Sequence, residues 1–279
     1  MTSLDLRPLS LGEILDRTFT IYRNHFLLFI GISAIPHLLV LAVSLVNLAF
    51  QPLANTAAAS FGSIGTTILL SLGIILFSVI AYVFSQGGTV FAVSELYLGR
   101  SATIIGSLSY ALSEVWTLFG VLLLNGIVIG IGFICLIVPG IYLACRLLVC
   151  VPATLVEKRG PAESLSRSFE LTRDNVGRAL LILLLSVVIS WAASAIFTAP
   201  FTILMMTALK NPEMMRVWAA LTQVGSSVAA ILISPILLIA TSIFYFDLRV
   251  RKEAFDLQFM MDPNSQRTPP GSSGIPSIL

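Results

Sequence analysis

The segment "LDRTFTIYRNHFLLFIGISAIPHLLVLAVSLVNLAF", residues 15–50, decides the fold of this chain. Its first part carries Asp16, Arg17 and Arg23, whereas residues 26–50 contain no Asp, Glu, Lys or Arg. Because a helix rises about 1.5 Å per residue, roughly 20 apolar residues cross the hydrocarbon of a bilayer. Residues 26–50 are therefore predicted to form a transmembrane helix, and the charged residues before it are predicted to stay at the membrane surface.

The composition of the whole chain is typical of a membrane protein. Of its 279 residues, 57% are hydrophobic and 11% are charged, whereas about 25% of the residues are charged in soluble domains. A chain this apolar could not cover its own surface in water, so we expect its solvent to be lipid. The net charge of +2 is too small to indicate a nucleic-acid partner.

The sequence predicts an all-α polytopic membrane protein with six transmembrane helices in three hairpins. The apolar windows cover residues 26–50, 66–93, 115–137, 139–156, 177–200 and 217–246. The third and fourth windows are joined without a polar residue, and we place their turn at Val138-Pro139-Gly140, since Pro ends a helix and Gly tolerates the reversal. Without that turn the chain would have five spans, and its C-terminus would lie on the other side.

The Lys and Arg residues are distributed unevenly between the two predicted sides of the membrane. Most of the 16 lie before the first span or after the second, fourth and sixth spans, whereas Lys210 and Arg216 lie on the other side and Arg146 within a span. The positive-inside rule places both termini in the cytoplasm, in an inner or plasma membrane. Residues 1–258 form the predicted membrane domain, and 259–279, rich in Pro, Ser and Gly, a disordered cytoplasmic tail.

The polar stretch before the first span is repeated before the fifth. At a constant offset of 150, five pairs are identical: Glu13 and Glu163, Leu15 and Leu165, Arg17 and Arg167, Phe19 and Phe169, Arg23 and Arg173. Ser10 with Glu13 predicts a capping box, Gly160-Pro161 predicts a helix start, and each Glu is predicted to pair with the Arg four residues on. We infer three repeats, about 10–100, 101–160 and 161–251; convergence of unrelated entry helices is the alternative.

Apolar residues recur on one face of both stretches, which predicts amphipathic helices at the cytoplasmic interface. A weaker third copy, "SATIIGSLSYALSEV", covers residues 101–115. The candidate interfacial lipid contacts are the arginines of the two stronger copies: Arg17, Arg23, Arg167 and Arg173. Setting the membrane topology is the alternative role of these charges. Membrane lipids are thus the expected partners, with an enzyme or transport complex as a further one.

Four stretches in order resemble a bacterial family. They are "LRPLSLGEILDRTFTIYRNHFLLFIGI" (6–32), "VSELYLGR" (93–100), "PATLVEKRGPAESLSRSFELTRDN" (152–175) and "FYFDLRVRKEAFDLQ" (244–258). Together they resemble the membrane-domain family named for the membrane portion of glycerophosphoryl diester phosphodiesterase. The enzymes of that family carry a separate barrel with His, Arg, Glu and Asp around a metal, whereas this chain has only His25 and His37. The resemblance implies a stand-alone membrane module without the catalytic barrel.

Arg146 gives the strongest signal for a site. It precedes Glu157 within the predicted fourth span, and a continuous helix would place it roughly 16 Å deep, near the bilayer centre. Because charge inside a membrane is functional by default, Arg146 with Asn125 is a candidate anion or lipid site. The alternative is snorkelling, or capping of broken-helix carbonyls near Pro139 or Pro152 with help from Asn125.

No catalytic, metal-ligating or cofactor-binding pattern stands out, so we expect no enzyme activity and no cofactor. The leading hypothesis is a non-enzymatic membrane module with a lipid-interacting or scaffold role in envelope homeostasis, or a partner to an enzyme or transport complex. The second is a small permease or transporter subunit with Arg146 in its pathway and unwound segments at Gln86-Gly87-Gly88 and Ser234-Pro235. The third is a membrane-embedded enzyme that uses His25, Glu95, Glu157 and Asp247.

Overall fold

The computed structural model describes residues 8–50, 61–208 and 211–253. Within these ranges the chain is helical and contains no strand. The helices are α1 (Leu11–Asn24), α2 (Phe26–Phe50), α3 (Phe61–Tyr97), α4 (Ile104–Ser113), α5 (Val115–Cys135), α6 (Ile137–Arg146), α7 (Cys150–Glu157), α8 (Pro161–Thr172), α9 (Val176–Thr207) and α10 (Pro212–Glu253). The predicted tail, 259–279, lies outside the described residues.

Six stretches are long and apolar enough to cross a membrane. They are Phe26–Ala49, Ile68–Tyr97, Val115–Cys135, Ile137–Glu157, Val176–Thr207 and Pro212–Glu253. The chain is therefore an all-α polytopic membrane protein, and the prediction of six spans is confirmed. A short helix precedes each pair of spans: α1, α4 and α8. This order matches the three inferred repeats, whose common origin stays a prediction.

The chain divides into two compact units. Unit 1 comprises Met1–Ile32, Val83–Ser186 and Pro235–Leu279, and unit 2 comprises Ser33–Tyr82 and Val187–Ser234. The long helices α2, α3, α9 and α10 each contribute one part to each unit. The short helices, together with α5, α6 and α7, belong to unit 1, and so do most of the described charged residues.

The core of unit 1 is built around the last part of α10. Every residue from Leu238 to Val250 is buried. The Phe246 ring stacks on that of Tyr97, with centroids 4.5 Å apart. Apolar side chains of seven other helices belong to the same cluster: Ile14 of α1, Phe29 of α2, Val93 of α3, Cys145 of α6, Ala153 of α7, Leu171 of α8 and Ala179 of α9. This part of α10 is thus enclosed by protein, although it belongs to a membrane span.

The hairpin between the third and fourth spans forms, but its predicted turn at Val138-Pro139-Gly140 is wrong. The turn residue is the extended Leu136 (φ −170°, ψ 161°). Pro139 lies in the first turn of α6, where a missing N–H costs no helical hydrogen bond, so it begins a helix and does not end one. Gly140 instead packs on Gly132, where a β-carbon would lie 3.0 Å from the Gly140 Cα. Two glycines allow the antiparallel helices to touch.

α1 begins as predicted and packs on the core of unit 1. The Ser10 N–H donates to Glu13 Oε2 (2.6 Å), and the Glu13 N–H donates to Ser10 Oγ (3.3 Å). Ile14 is fully buried, and Tyr22 packs against the same cluster. Most of the apolar face predicted to rest on the membrane surface therefore contacts protein, whereas Phe19 is exposed.

α8 begins at Pro161 after Gly160, as predicted, but its buried face is mostly polar. The residues of that face are Ser164, Arg167, Ser168, Leu171 and Thr172. Arg167 pairs with Glu170 and with carboxylates of other helices, so the predicted pair with Glu163 is wrong among the described residues. Glu163 is exposed. The inner face of α8 thus serves hydrogen bonding more than apolar burial.

α4, the copy with the weakest sequence signal, presents a clear apolar face outward. Ile105 is 81% exposed and Leu112 59%, and Trp116 at the start of α5 is 82% exposed. Ile105 and Leu112 are two helical turns apart and share a face. In a membrane protein such a face suits the boundary between head groups and acyl chains.

Two sequences predicted to interrupt spans lie in unbroken helices. α3 continues through Gln86-Gly87-Gly88, and α10 continues through Ser234-Pro235. The glycines bring helices together, since a β-carbon on Gly87 would lie 3.1 Å from the Ala111 Cβ of α4. The predicted unwound segments are therefore wrong, and Gly87 serves close packing.

Unit 2 contains the remaining parts of the four long helices. In it, Gly225 of α10 lies so close to α9 that a β-carbon would clash with the Phe197 carbonyl oxygen. Arg216 Nη1 donates to the Ala49 carbonyl oxygen (3.4 Å). Trp191 and Ile196 of α9 are exposed, as expected for side chains that face lipid.

The contact of Gly132 with Gly140 gives a direct test of the hairpin. Gly132→Ala would add a methyl group within the contact distance of backbone atoms, so the helices must separate. We expect the unfolding free energy to fall by about 1–3 kcal/mol, seen as a lower midpoint of thermal unfolding in detergent. Gly130→Ala is the matched control, because it lies in α5 and meets nothing within 4 Å among the described residues. Equal midpoints for both variants would contradict the close packing.

Candidate functional site

The fourth span is interrupted directly after Arg146. α6 ends there, a turn follows, and α7 begins at Cys150. Pro152 explains the break, because proline lacks an N–H and its ring clashes with the carbonyl four residues earlier. The Cys150 N–H donates to the Leu147 carbonyl oxygen (3.1 Å). In a continuous helix it would donate to the Arg146 carbonyl oxygen, four residues earlier, so that oxygen loses its helical donor. The prediction of a continuous helix is therefore wrong.

Two hydroxyl groups of α8 satisfy the freed carbonyl. Ser168 Oγ donates to the Arg146 carbonyl oxygen (2.8 Å). The hydroxyl proton of Thr172 is shared between the carbonyl oxygens of Arg146 (3.0 Å) and Ser168 (2.7 Å). A broken-helix carbonyl near Pro152 is thus capped, as one alternative proposed, but the donors come from α8 and not from Arg146 or Asn125. These bonds fix the backbone of Arg146 against α8.

The guanidinium of Arg146 lies beside two aromatic rings. Its central carbon is 5.1 Å from the ring centroid of Phe169 and 5.9 Å from that of Tyr142, within the range of cation–π attraction. Phe169 belongs to α8, which is not among the six apolar stretches, so Arg146 contacts a helix outside the spans. Its expected position near the bilayer centre stays a prediction. Arg146 Nε is buried and has no hydrogen-bond partner among the described residues.

Asp174 comes two residues after Thr172, which contacts the Arg146 carbonyl oxygen, and two further cations lie next to this carboxylate. Lys252 Nζ lies 3.0 Å from Asp174 Oδ2 and donates to the Glu170 carbonyl oxygen (2.8 Å). The pKa of the Asp174 carboxyl is lowered, chiefly by the hydrogen bond from Lys252, and the charges of Arg173 and Arg146 act in the same direction. We call Arg146, Arg173, Asp174 and Lys252 the Arg146 patch. Positive charge exceeds negative charge in it.

Asn125 is not joined to Arg146 by a hydrogen bond. Its Oδ1 is buried and has no hydrogen-bond partner in the described part of the chain. Asn125 lies on α5 and Arg146 on α6, the helices of the hairpin between the third and fourth spans. The structure therefore places both members of the predicted anion site in unit 1, as two separate unpaired groups.

A second group of charges joins the ends of α7, α8 and α10. Glu157 accepts hydrogen bonds from Arg167 Nε (3.0 Å), Tyr245 Oη (2.9 Å) and Arg159 Nε (2.6 Å). Arg167 also pairs with Glu253 and Glu170, and Arg249 Nε donates to Glu253 (2.9 Å). We call Glu157, Arg159, Arg167, Glu170, Tyr245, Arg249 and Glu253 the α8 network. Its arginines and carboxylates are equal in number.

Arg167, one of the predicted lipid contacts, pairs with carboxylates of the protein. Its side chain is only 9% exposed and is enclosed by three carboxylates. Burial opposes the positive charge, but the hydrogen bonds with Glu253 and Glu157 outweigh this effect, so the pKa of Arg167 is raised. The N–H donors of this arginine bind carboxylates of the protein, so they are not offered to a lipid head group.

The other three predicted lipid contacts lie nearer the surface. Arg23 and Arg173 are exposed at the ends of α1 and α8. Arg17 is half-buried, and its Nη1 donates to Tyr97 Oη (3.3 Å). The paired positions of the sequence repeat thus differ in environment at Arg17 and Arg167 and agree at Arg23 and Arg173.

A third group, not predicted, holds the segment before α1. The Leu9 N–H donates to Asp247 Oδ1 (2.6 Å), and the Leu9 carbonyl accepts from Arg178 Nη2 (2.7 Å) and Arg251 Nη2 (2.6 Å). Asp247, fully buried, also pairs with both arginines. We call Leu9, Arg178, Asp247 and Arg251 the Leu9 clamp. It ties the start of the described chain to α9 and α10.

The residues proposed for a membrane-embedded enzyme have other partners or positions. Glu157 belongs to the α8 network and Asp247 to the Leu9 clamp. Glu95 pairs with Arg100 (3.2 Å), and His25 is exposed between α1 and α2. The structure brings no two of these four together, and the described residues contain no group of three or more His, Cys, Asp or Glu able to hold a metal ion.

Comparison with known proteins finds no matching family model, curated protein or solved structure.

The charged residues of these groups are visible in the sequence, but which of them contact one another was not predicted. Pro152, six residues after Arg146, was the signal for the helix break. The sequence "RDN" at 173–175 and the cluster "RVRK" at 249–252 supply Arg173, Asp174 and Lys252 of the Arg146 patch and Arg251 of the Leu9 clamp. No local pattern indicates that Asp174 contacts Lys252.

The α8 network yields a test with two arginines on one carboxylate. Arg167→Ala would leave Glu157 and Glu253 poorly paired, and breaking a buried ion pair typically costs about 3–5 kcal/mol. Arg159 is 43% exposed, so Arg159→Ala should cost about 1 kcal/mol or less. We expect thermal unfolding in detergent to show a large decrease in midpoint for Arg167→Ala alone. Similar decreases for the two variants would show that burial of Arg167 is not decisive.

Proposed function

We propose that this chain is a non-enzymatic module of the inner or plasma membrane, with both termini cytoplasmic, that interacts with anionic lipids and acts as a scaffold. The observation that carries the proposal is the outer surface of unit 1. There, the apolar side chains of Ile105, Leu112 and Trp116 are exposed on α4 and α5, and Arg23 and Arg173 are exposed at the ends of α1 and α8. Aromatic, aliphatic and basic side chains together are typical of the membrane interface.

The use of the remaining charges supports a non-enzymatic role. The carboxylates that a membrane-embedded enzyme would need, Glu157 and Asp247, are each bound to two or more donors in the protein. A general base must reach its substrate, and a carboxylate enclosed by arginines is poorly placed for this. The resemblance to the membrane domain of glycerophosphoryl diester phosphodiesterase belongs with this proposal, as a membrane module that works beside an enzyme or transport complex.

A small permease with Arg146 in its pathway is the second candidate. The observation that favours it is a pair of buried atoms, Asn125 Oδ1 and Arg146 Nε, which have no hydrogen-bond partner in the described part of the chain and lie in helices that belong to spans. Unpartnered polar atoms at such positions suit a passing polar solute. If this function is correct, proteoliposomes should release entrapped solute through the wild type and not through Arg146→Ala.

Lipid retention tests the leading proposal. We expect native mass spectrometry of the purified protein to show anionic phosphatidylglycerol retained in preference to phosphatidylcholine from an equal mixture. Ile105→Gln should reduce the number of retained lipids, because it removes exposed apolar surface from α4. Ser109→Gln is the matched control, since it introduces the same side chain at an exposed position of α4. An unselective lipid profile, unchanged in Ile105→Gln, would contradict the proposal.

A further inference from the structure

The three charged groups of unit 1 differ in how completely their charges are balanced. In the α8 network, arginines and carboxylates are equal in number. In the Leu9 clamp, the excess positive charge of two arginines over Asp247 is directed at the Leu9 carbonyl oxygen. The Arg146 patch has three cations and one carboxylate, and Arg146 Nε has no hydrogen-bond partner in the described ranges. An anion is therefore best accommodated at the Arg146 patch.

The carboxylate of the patch is the group most easily exchanged. Asp174 is 71% exposed, and its ion pair joins it to Lys252. Exposed ion pairs contribute little to stability, because each ion is well solvated without its partner. Lys252 retains a second bond, to the Glu170 carbonyl oxygen, so it would stay in place if Asp174 moved away.

Arg146 is held in position before any ligand arrives. Its backbone carbonyl is fixed by two hydroxyl groups of α8, and its guanidinium lies beside the rings of Phe169 and Tyr142. Such rings contact the face of a guanidinium and leave the N–H donors in its plane for an anion. Arg146 Nε, buried without a partner among the described residues, is one such donor.

We propose that the Arg146 patch binds the phosphate group of an anionic ligand, and that Asp174 is the internal counter-ion which this phosphate replaces. Arg146 would supply the planar N–H donors that match phosphate oxygens, and Lys252 a point charge. A lipid head group or a water-soluble phosphate ester can offer this group. The site deepens the proposed function, and rests on it only for the lipid as the source of the phosphate.

The two charged positions predict opposite effects on affinity. Arg146→Ala should weaken binding about tenfold or more, as expected for loss of a charged hydrogen-bond donor. Asp174→Asn removes the competing carboxylate and should strengthen binding about fivefold, the effect of roughly one surface charge. Arg146→Lys should bind more weakly than the wild type, because it keeps the charge and loses the planar donors.

The experiment measures binding by native mass spectrometry to the full-length protein in detergent. One arm titrates phosphatidylglycerol, and the other titrates glycerol 3-phosphate. Arg159→Ala and Glu163→Gln are the matched controls, because each removes one exposed charge outside the patch, and both should bind like the wild type. Thermal unfolding shows that each variant is folded, and Asp174→Asn keeps the test valid if Arg146→Ala does not fold.

The outcomes separate the site from the proposed function. Opposite changes in Arg146→Ala and Asp174→Asn support the site: in the phosphatidylglycerol arm they indicate a lipid ligand, and in the glycerol 3-phosphate arm alone a soluble one, without the lipid function. Selective phosphatidylglycerol binding that neither variant changes would overturn the site and leave the lipid function standing. Weaker binding in Asp174→Asn would overturn the proposed exchange.

Discussion

Burial of charge at the end of α10 is the constraint on which unit 1 depends. Asp247 and Arg249 lie in a stretch of α10 where every residue from Leu238 to Val250 is buried. A buried charge without a partner costs several kcal/mol, so opposite charges must be supplied at fixed positions. Asp247 pairs with Arg178 of α9 and Arg251 of α10 and accepts a hydrogen bond from the Leu9 N–H. Arg249 pairs with Glu253 of α10, and its Nε lies 3.8 Å from Glu157 Oε1 of α7. The helix ends are therefore positioned by ion pairs as much as by apolar contacts.

Residues at equivalent positions of the two similar segments have different roles. Arg17 donates to Tyr97, whereas Arg167, at the same place in the later copy, pairs with three carboxylates. Arg23 and Arg173 are both exposed, and Arg173 directly precedes Asp174, which pairs with Lys252. The difference arises because α8 packs on the enclosed end of α10, which brings Glu253 and Lys252 with it. Similar local sequences thus receive different partners from the rest of the chain.

The spans and helix starts were predictable because their causes are local. Apolar length gave the six spans, and Ser10 with Glu13 gave the cap of α1. The α5–α6 turn was misplaced because Pro139 can end one helix or begin the next, and its local sequence does not distinguish these. The buried face of α8 was predicted incorrectly because the periodicity of apolar residues indicates only apolar burial. In the structure this face buries mainly hydroxyl groups and Arg167. The contact of Leu9 with Asp247 joins residues 238 positions apart and leaves no local signal.

α8 has two roles on different sides, which makes the structural and binding charges separable. Arg167 points into the α8 network, and Phe169, two residues on and about 200° around the helix, lies beside the Arg146 guanidinium. The hydroxyl groups of Ser168 and Thr172 connect the two sides by holding the Arg146 carbonyl. Removing a buried charge of the α8 network should lower the unfolding free energy, because the charges of this network pair with one another. Removing a charge of the Arg146 patch should instead change ligand affinity. The cations of this patch outnumber its carboxylate, and in our proposal the phosphate of a ligand balances them.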